Sequence, residues 1–168
     1  MKNIKKLNLF GCATLFTVAL VTGYQLQAGE SQSPDEAAAT ASATMTVYKS
    51  ASCGCCAGWV EHLKQNGFDV EVRNTNNLNA VKAKFNVPGA MASCHTGVMD
   101  GQVFEGHVPA SDIRRFIGGE YHAFGQQTHG IAVPGMPHGA PGMETGRQDA
   151  YEVVAFSENG RSQAVNRY

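Results

Sequence analysis

Three cysteines, Cys53, Cys55 and Cys56, lie within four consecutive residues, and a fourth, Cys94, follows further along the chain. Cysteine thiols this close together could bind a soft metal ion or take part in thiol–disulfide exchange. A purely structural role fits poorly, because the adjacent Cys55 and Cys56 could bond each other only through a strained ring, and a stapling disulfide joins distant segments. The four cysteines are therefore predicted metal ligands.

Monovalent copper is the metal that this pattern favours. Thiolates are soft ligands that bind Cu(I), zinc or iron–sulfur clusters in preference to hard ions. Zinc sites usually have two to four residues between paired cysteines, whereas three sulfurs this close suit thiolates that bridge several copper ions. The sequence thus predicts a multinuclear Cu(I) cluster with several ions per chain, and zinc or iron–sulfur binding stays open.

Four other side chains are candidate additional ligands. The thioethers of Met136 and Met143 suit Cu(I) and are poor ligands for zinc. The imidazoles of His95 and His138 could supply nitrogen to the same site. A further histidine, His107, comes two residues before a proline and is interpreted as a structural residue.

A second function, from a different class, competes with metal binding. Cys53 and Cys56 form a C-x-x-C frame, which a thiol–disulfide oxidoreductase could use with Cys94 as the resolving thiol. Cys55 inside that frame is the objection, because a neighbouring thiol would divert a mixed disulfide. No signature of a substrate pocket is visible, so the sequence does not decide whether the protein is an enzyme. Oxidation of the thiolates to a disulfide could instead release bound metal.

The first 28 residues are predicted to be a secretory signal peptide. Lys2, Lys5 and Lys6 precede a mainly apolar stretch over residues 9–21, and a small-residue cleavage site follows at residues 26–28. The apolar stretch is too short for a convincing membrane span. We therefore expect an exported protein with no stable span after cleavage.

The rest of the chain divides into a tether and one domain. Residues 29–44 contain mostly Ala, Ser, Thr, Glu and Pro, a composition that cannot bury a core, and are predicted to be a flexible linker. Residues 45–168 have the size of a single domain and form the predicted copper-binding domain. The formal net charge of -1 provides no basic field, so nucleic acid is not an expected partner.

Strand and helix signals alternate along this domain. The predicted order is strand 45–48, helix 55–66, strand 68–72, helix 77–85, hairpin strands 96–99 and 102–105, and helix 109–117. This βαβα-ββα order is typical of an α/β fold with a thioredoxin-like core. An irregular loop rich in Gly, Pro, Met and His is predicted over residues 121–146, followed by a C-terminal β-hairpin at 151–156 and 162–165.

The predicted fold also positions the thiols. In a thioredoxin-like arrangement the loop after the first strand meets the segment before the third strand, so the three clustered cysteines should face Cys94. These cysteines open a helix, whose unpaired N–H groups and dipole favour negative charge on sulfur. Because several thiolates at one place repel each other, a bound cation would relieve that repulsion.

Four separated motifs resemble the CopG-like proteins of bacterial copper resistance. They are Cys-Gly-Cys-Cys at 53–56, Ser-Cys-His-Thr at 93–96, Glu-Gly-His-Val-Pro at 105–109, and the Gly- and Pro-rich stretch 133–144. The resemblance covers residues 45–156 and implies a periplasmic, thioredoxin-like copper-binding protein that takes part in copper tolerance. By position it implies that the four cysteines are the metal thiolates. Copper ions and other periplasmic copper-handling proteins are the partners it leads us to expect.

Overall fold

The structure is a computed structural model that describes residues 43–168. The predicted signal peptide and nearly all of the predicted linker lie outside the described residues. Within residues 43–168, no helix is both long enough and apolar enough to cross a membrane.

Seven strands form one mixed sheet in the order β2-β1-β3-β4-β5-β6-β7. The elements run, in chain order, β1 Met45–Lys49, α1 Gly54–Gln65, β2 Val70–Asn74, α2 Leu78–Lys84, β3 His95–Met99, β4 Gln102–Glu105, α3 Ala110–Ile117, β5 Gly130–Ala132, β6 Glu152–Phe156 and β7 Ser162–Arg167. Short 3-10 turns occupy Gly89–Met91 and Gly125–Gln127. The predicted α/β fold with its thioredoxin-like element order is confirmed.

Two apolar clusters cover the two faces of the sheet. Successive residues of a strand point to opposite faces, and Phe104 belongs to one cluster while Val103 belongs to the other. The larger cluster includes Trp59 of α1 and Phe116 of α3, and Phe85 packs against the smaller one. Because full burial of a large apolar side chain contributes about 1.5–3 kcal/mol, Trp59 holds α1 firmly against the sheet.

The strand β2 begins two residues later than the sequence predicted. Its predicted first residue, Phe68, instead donates its backbone N–H to the Leu63 carbonyl and closes the end of α1. Gly67 makes this turn possible by adopting a φ of 77°, a left-handed conformation that glycine reaches at little cost.

The predicted irregular loop contains a strand that the sequence analysis missed. Gly130–Ala132 forms β5, which pairs parallel with β4 and antiparallel with β6. Three residues are too few to show an alternating pattern, so the neighbouring strands define this element. A Cβ at Gly130 would lie 2.1 Å from the Val103 carbonyl oxygen, so only glycine fits there. Through β5 the predicted C-terminal hairpin joins the same sheet.

Candidate metal centre

The first turn of α1 presents three of the four sulfurs. Cys53 is the N-cap residue of the helix, and its Sγ accepts the Cys56 backbone N–H at 3.3 Å. Cys53 and Cys56 are joined by a disulfide, with their Cα atoms 5.3 Å apart. Cys55 is a free thiol whose Sγ lies 3.5 Å from the Cys53 Sγ. The C-x-x-C frame is thus oxidised in this structure.

Cys94 lies opposite this turn, immediately before β3. The Sγ atoms of Cys53, Cys55, Cys56 and Cys94 all lie within 4.8 Å of one another, and we call these four residues the cysteine cluster. A metal–thiolate bond is about 2.3 Å long at zinc, so sulfurs that share an ion are separated by up to about twice that length. The predicted meeting of the four sulfurs across the fold is therefore observed, at a spacing compatible with shared metal ions.

Two imidazoles lie against the sulfur of Cys94. His95 Nδ1 and His107 Nε2 are each 3.2 Å from Cys94 Sγ. His107 Nδ1 is 2.8 Å from the Pro141 carbonyl oxygen, which can only accept, so Nδ1 carries the proton and the Nε2 lone pair faces Cys94. His95 Nε2 is buried without a hydrogen-bond partner. Cys94, His95 and His107 thus form a second group of close ligand atoms that shares Cys94 with the cysteine cluster.

Burial favours the uncharged forms of Cys94, His95 and His107. Burial, with a smaller contribution from Cys55, raises the pKa of the Cys94 thiol to about 11. Burial, and then the neighbouring His107, hold the pKa of His95 well below its usual range, and burial also lowers the pKa of His107. Both imidazoles are therefore neutral at pH 7 and free to ligate, whereas a metal ion must displace the Cys94 proton.

Two solved structures and a family profile resemble this chain. A structure titled "Copper resistance protein copG- Form 2" is 45% identical over 75% of this chain and 98% of its own, with a TM-score of 0.68. One titled "Copper resistance protein copG- Form 1" is 45% identical over 74% and 96%, also with a TM-score of 0.68. The chain belongs to the CopG family. The profile of a family described as "Protein of unknown function, DUF411" matches residues 91–143. No curated protein matches.

The sequence analysis did not foresee the position of His107. Its interpretation as structural rested on local sequence alone, whereas its Nε2 faces the Cys94 sulfur. β3 and β4 form an antiparallel hairpin in which Thr96 is paired with Glu105. Residues just before β3 and just after β4 therefore meet at one end of the hairpin. That pairing, read with the Asp100-Gly101 turn, is the signal that could have identified His107.

The remaining predicted ligands lie in the loop between β5 and β6. Met136 is 55% exposed and lines a surface depression with Pro137 and Tyr151. His138 Nδ1 is 2.7 Å from Thr145 Oγ1. Within residues 43–168, the groups of close His, Cys, Asp and Glu ligand atoms do not include His138. These two side chains therefore remain predicted ligands, with no observed link to the cysteine cluster.

Met143 occupies a different part of this loop, beside the first turn of α1. Its neighbour Gly142 packs so closely on the helix that an added Cβ would lie 2.6 Å from both the Cys55 carbonyl oxygen and the Trp59 nitrogen. The adjacent Pro141 carbonyl is the hydrogen-bond partner of His107. This short segment thus touches both the helix that carries three cysteines and the imidazole beside Cys94, which keeps Met143 a candidate ligand by location.

Proposed function

We propose that this protein binds Cu(I) in the periplasm through the thiolates of Cys53, Cys55, Cys56 and Cys94, as part of copper tolerance. The single observation that carries the proposal is the approach of four cysteine ligand atoms to within 4.8 Å. Copper is favoured because both solved CopG relatives are named copper resistance proteins. A thiolate-bridged cluster of several Cu(I) ions suits sulfurs that are too close in sequence to act as independent corners of one tetrahedron.

His107 supplies nitrogen to the same cluster under this proposal. Its Nε2 lone pair already faces Cys94, and the Nδ1 proton is held by the Pro141 carbonyl. An outer hydrogen bond of this kind fixes the orientation of a ligating imidazole and raises its basicity. His95 is a second nitrogen candidate beside the same sulfur, while Met136, His138 and Met143 stay candidate outer ligands.

Metal loading requires the reduced protein. The disulfide between Cys53 and Cys56 withholds two of the four thiolates, so two electrons from a reductant must first convert it to thiols. In the reverse direction, a disulfide such as oxidised glutathione would take up those two electrons and expel copper. Under this proposal, copper affinity therefore falls after such oxidation, and an unchanged affinity would remove the redox gate while leaving copper binding intact.

Anaerobic titration of the reduced protein with Cu(I), followed by X-ray absorption at the copper edge, tests the function. We expect saturation at more than one copper per chain and predominantly sulfur neighbours. Cys55→Ser should lower the copper count and leave the C-x-x-C frame intact, which makes it the matched variant. Saturation below one copper per chain, or preferential loading with zinc or an iron–sulfur cluster, would overturn the proposal.

A thiol–disulfide oxidoreductase is the second candidate, and one observation favours it. The Cys53–Cys56 disulfide sits at the start of α1, and Cys94 and Cys55 are both free thiols nearby. An insulin-reduction assay separates the two functions. Oxidoreductase activity requires Cys53 and Cys56 and tolerates Cys55→Ser, whereas loss of any one of the four thiols should lower copper loading without abolishing it.

The proposal also includes export of the protein from the cytoplasm to the periplasm. We assign residues 1–28 to a cleaved signal peptide and residues 29–44 to a linker, on the composition of the sequence. Mass spectrometry of the protein recovered from a periplasmic fraction should find a chain that begins near Gly29. Recovery of the intact chain from the cytoplasm alone would contradict this localisation.

A further inference from the structure

A buried ion pair bonds the residues that flank Cys94. Glu105, the last residue of β4, is 0% exposed, and Lys82, in the last turn of α2, is 9% exposed. The Lys82 Nζ is 2.5 Å from Glu105 Oε1. Glu105 is the first residue of the Glu-Gly-His-Val-Pro motif, but the proposed ligand set uses neither of these two side chains.

The Glu105 carboxylate holds the chain on both sides of Cys94. The Ser93 backbone N–H donates to Oε1 at 2.6 Å, and the Thr96 hydroxyl donates to Oε2 at 2.7 Å. Lys82 also donates to Thr96 Oγ1, at 3.1 Å. One carboxylate thus bonds the residue immediately before Cys94 and the residue two positions after it.

The same segment is confined by close packing against the turn after β4. Gly106 has a φ of 73°, and a Cβ there would lie 2.6 Å from both Cβ and Oγ of Ser93. The Gly106 N–H donates to the His95 carbonyl at 3.1 Å, and Ser93 Oγ donates to the Gly135 carbonyl. Backbone contacts therefore surround the Cys94 segment, and Glu105 supplies the charged acceptor among them.

Stability alone gives a weak reason for such a pair. Removing two charges from water is costly, and replacing a buried ion pair by well-packed apolar residues is often neutral or stabilising. A carboxylate does what an apolar residue cannot, because its two oxygens accept from two separate donors in a fixed geometry. The pair is therefore better explained by its hydrogen bonds to Ser93 and Thr96, which orient the segment around Cys94.

We propose that Glu105, neutralised by Lys82, is the positioning residue for Cys94. It fixes the direction of the Cys94 sulfur toward the other three thiols and toward His107. Its expected effect on copper affinity rests on the proposed copper function. Mutation of residues that hold metal ligands in place typically lowers metal affinity by about 10–100-fold. Glu105 should fix the orientation of Cys94 whether or not metal is bound.

Two variants with opposite changes test this role. Glu105→Asp keeps the charge and shortens the side chain, so the carboxylate no longer reaches both Ser93 and Thr96. The double variant Lys82→Met with Glu105→Gln removes both charges and keeps the length of the side chain. Its amide oxygen can accept the Ser93 N–H, and its amide NH2 can donate to Thr96 Oγ1, which no longer accepts from Lys82. We expect Glu105→Asp to weaken Cu(I) binding by about tenfold or more and the double variant to retain nearly wild-type affinity. If charge mattered rather than reach, this order would reverse and the proposal would fail.

The background variant Cys94→Ser shows whether the effect passes through Cys94. In a double-mutant cycle, Glu105→Asp should cause no additional loss of Cu(I) affinity once Cys94 is Ser, because the positioned sulfur is already absent. Equal losses in both backgrounds would indicate a general structural effect and overturn the proposal. Asp112→Asn is the matched control, since Asp112 is also fully buried but bonds Tyr121 and Asn166 in another part of the molecule.

A metal-free measurement separates this proposal from the copper function. In reduced Cys55→Ser protein, the alkylation rate of Cys94 by iodoacetamide is followed by mass spectrometry of the Cys94 peptide. Glu105→Asp should change that rate several-fold, and the Lys82→Met, Glu105→Gln pair should not. Unchanged rates in every variant would reject the positioning role even if copper binds, and failure of the wild-type protein to bind copper would reject only the proposed function.

Discussion

The first turn of α1 and the end of the β3–β4 hairpin supply the two sides of the cysteine cluster, and they do so by different means. The α1 side holds three sulfurs within one short run, placed by the backbone of a helix cap. The hairpin side holds one sulfur, with the buried imidazoles of His95 and His107 against it, and the buried Glu105 carboxylate bonds the residues on both sides of that cysteine. A short run can thus encode ligand identity, whereas the orientation of an isolated ligand needs side chains from several elements.

This contrast predicts that stability depends strongly on the hairpin side. Lys82→Met leaves the Glu105 carboxylate buried without its cation, and breaking a buried pair in this way costs about 3–5 kcal/mol. Lys84→Met is the matched control, because Lys84 is on the same helix and exposed, and we expect it to change stability by less than about 1 kcal/mol. Urea denaturation of the metal-free, reduced protein measures both. Equal losses would show that the pair has no special role.

The same contrast explains what the sequence could predict. α1 was predictable because Trp59, Val60 and Leu63 recur at helical spacing and all three are buried. The four cysteines were predictable as one site because the order of strands and helices brings Cys94 to face the α1 turn. Each of these signals is either local or follows from element order.

Glu105 and β5 were not predictable on those grounds, and His107 could be placed only through the pairing of β3 with β4. A histidine and a glutamate near the end of a strand have no local pattern that distinguishes a buried, bonded side chain from an exposed one. Their roles depend on α2, on Ser93 and on the Pro141 carbonyl, which come from distant parts of the sequence. β5 likewise exists because β4 and β6 flank it, so only the assembled sheet reveals it.

The loop that joins the two sides can be tested by a glycine pair. Gly142 and Gly146 both have a φ of 82°, but a Cβ at Gly142 would lie 2.6 Å from the Cys55 carbonyl, whereas nothing lies within 4 Å of one at Gly146. Gly146→Ala should cost about 1–2 kcal/mol from the left-handed backbone alone. Gly142→Ala should cost about 1–3 kcal/mol more, from overpacking against α1. Thermal or urea unfolding that found the two variants equal would show that the loop does not press on the helix.

Mildly acidic pH should lower the free energy of unfolding, mainly through the two buried imidazoles on the hairpin side. Burial lowers the pKa of His95 well below the ordinary value of 6.5 and also lowers that of His107, so the unfolded chain binds more protons than the native state at mildly acidic pH. The free energy of unfolding of metal-free protein should therefore fall as pH drops through about 6.5. The loss is at most about 1 kcal/mol per imidazole at pH 6, because free imidazole is then only partly protonated.

Two histidine variants locate the groups responsible for this pH dependence. His95→Gln should flatten the dependence of the free energy of unfolding on pH more than His62→Gln, since His62 on α1 is only partly buried and its pKa is lowered less deeply. Equal slopes in the two variants would mean that the acid-sensitive groups lie outside the surroundings of Cys94.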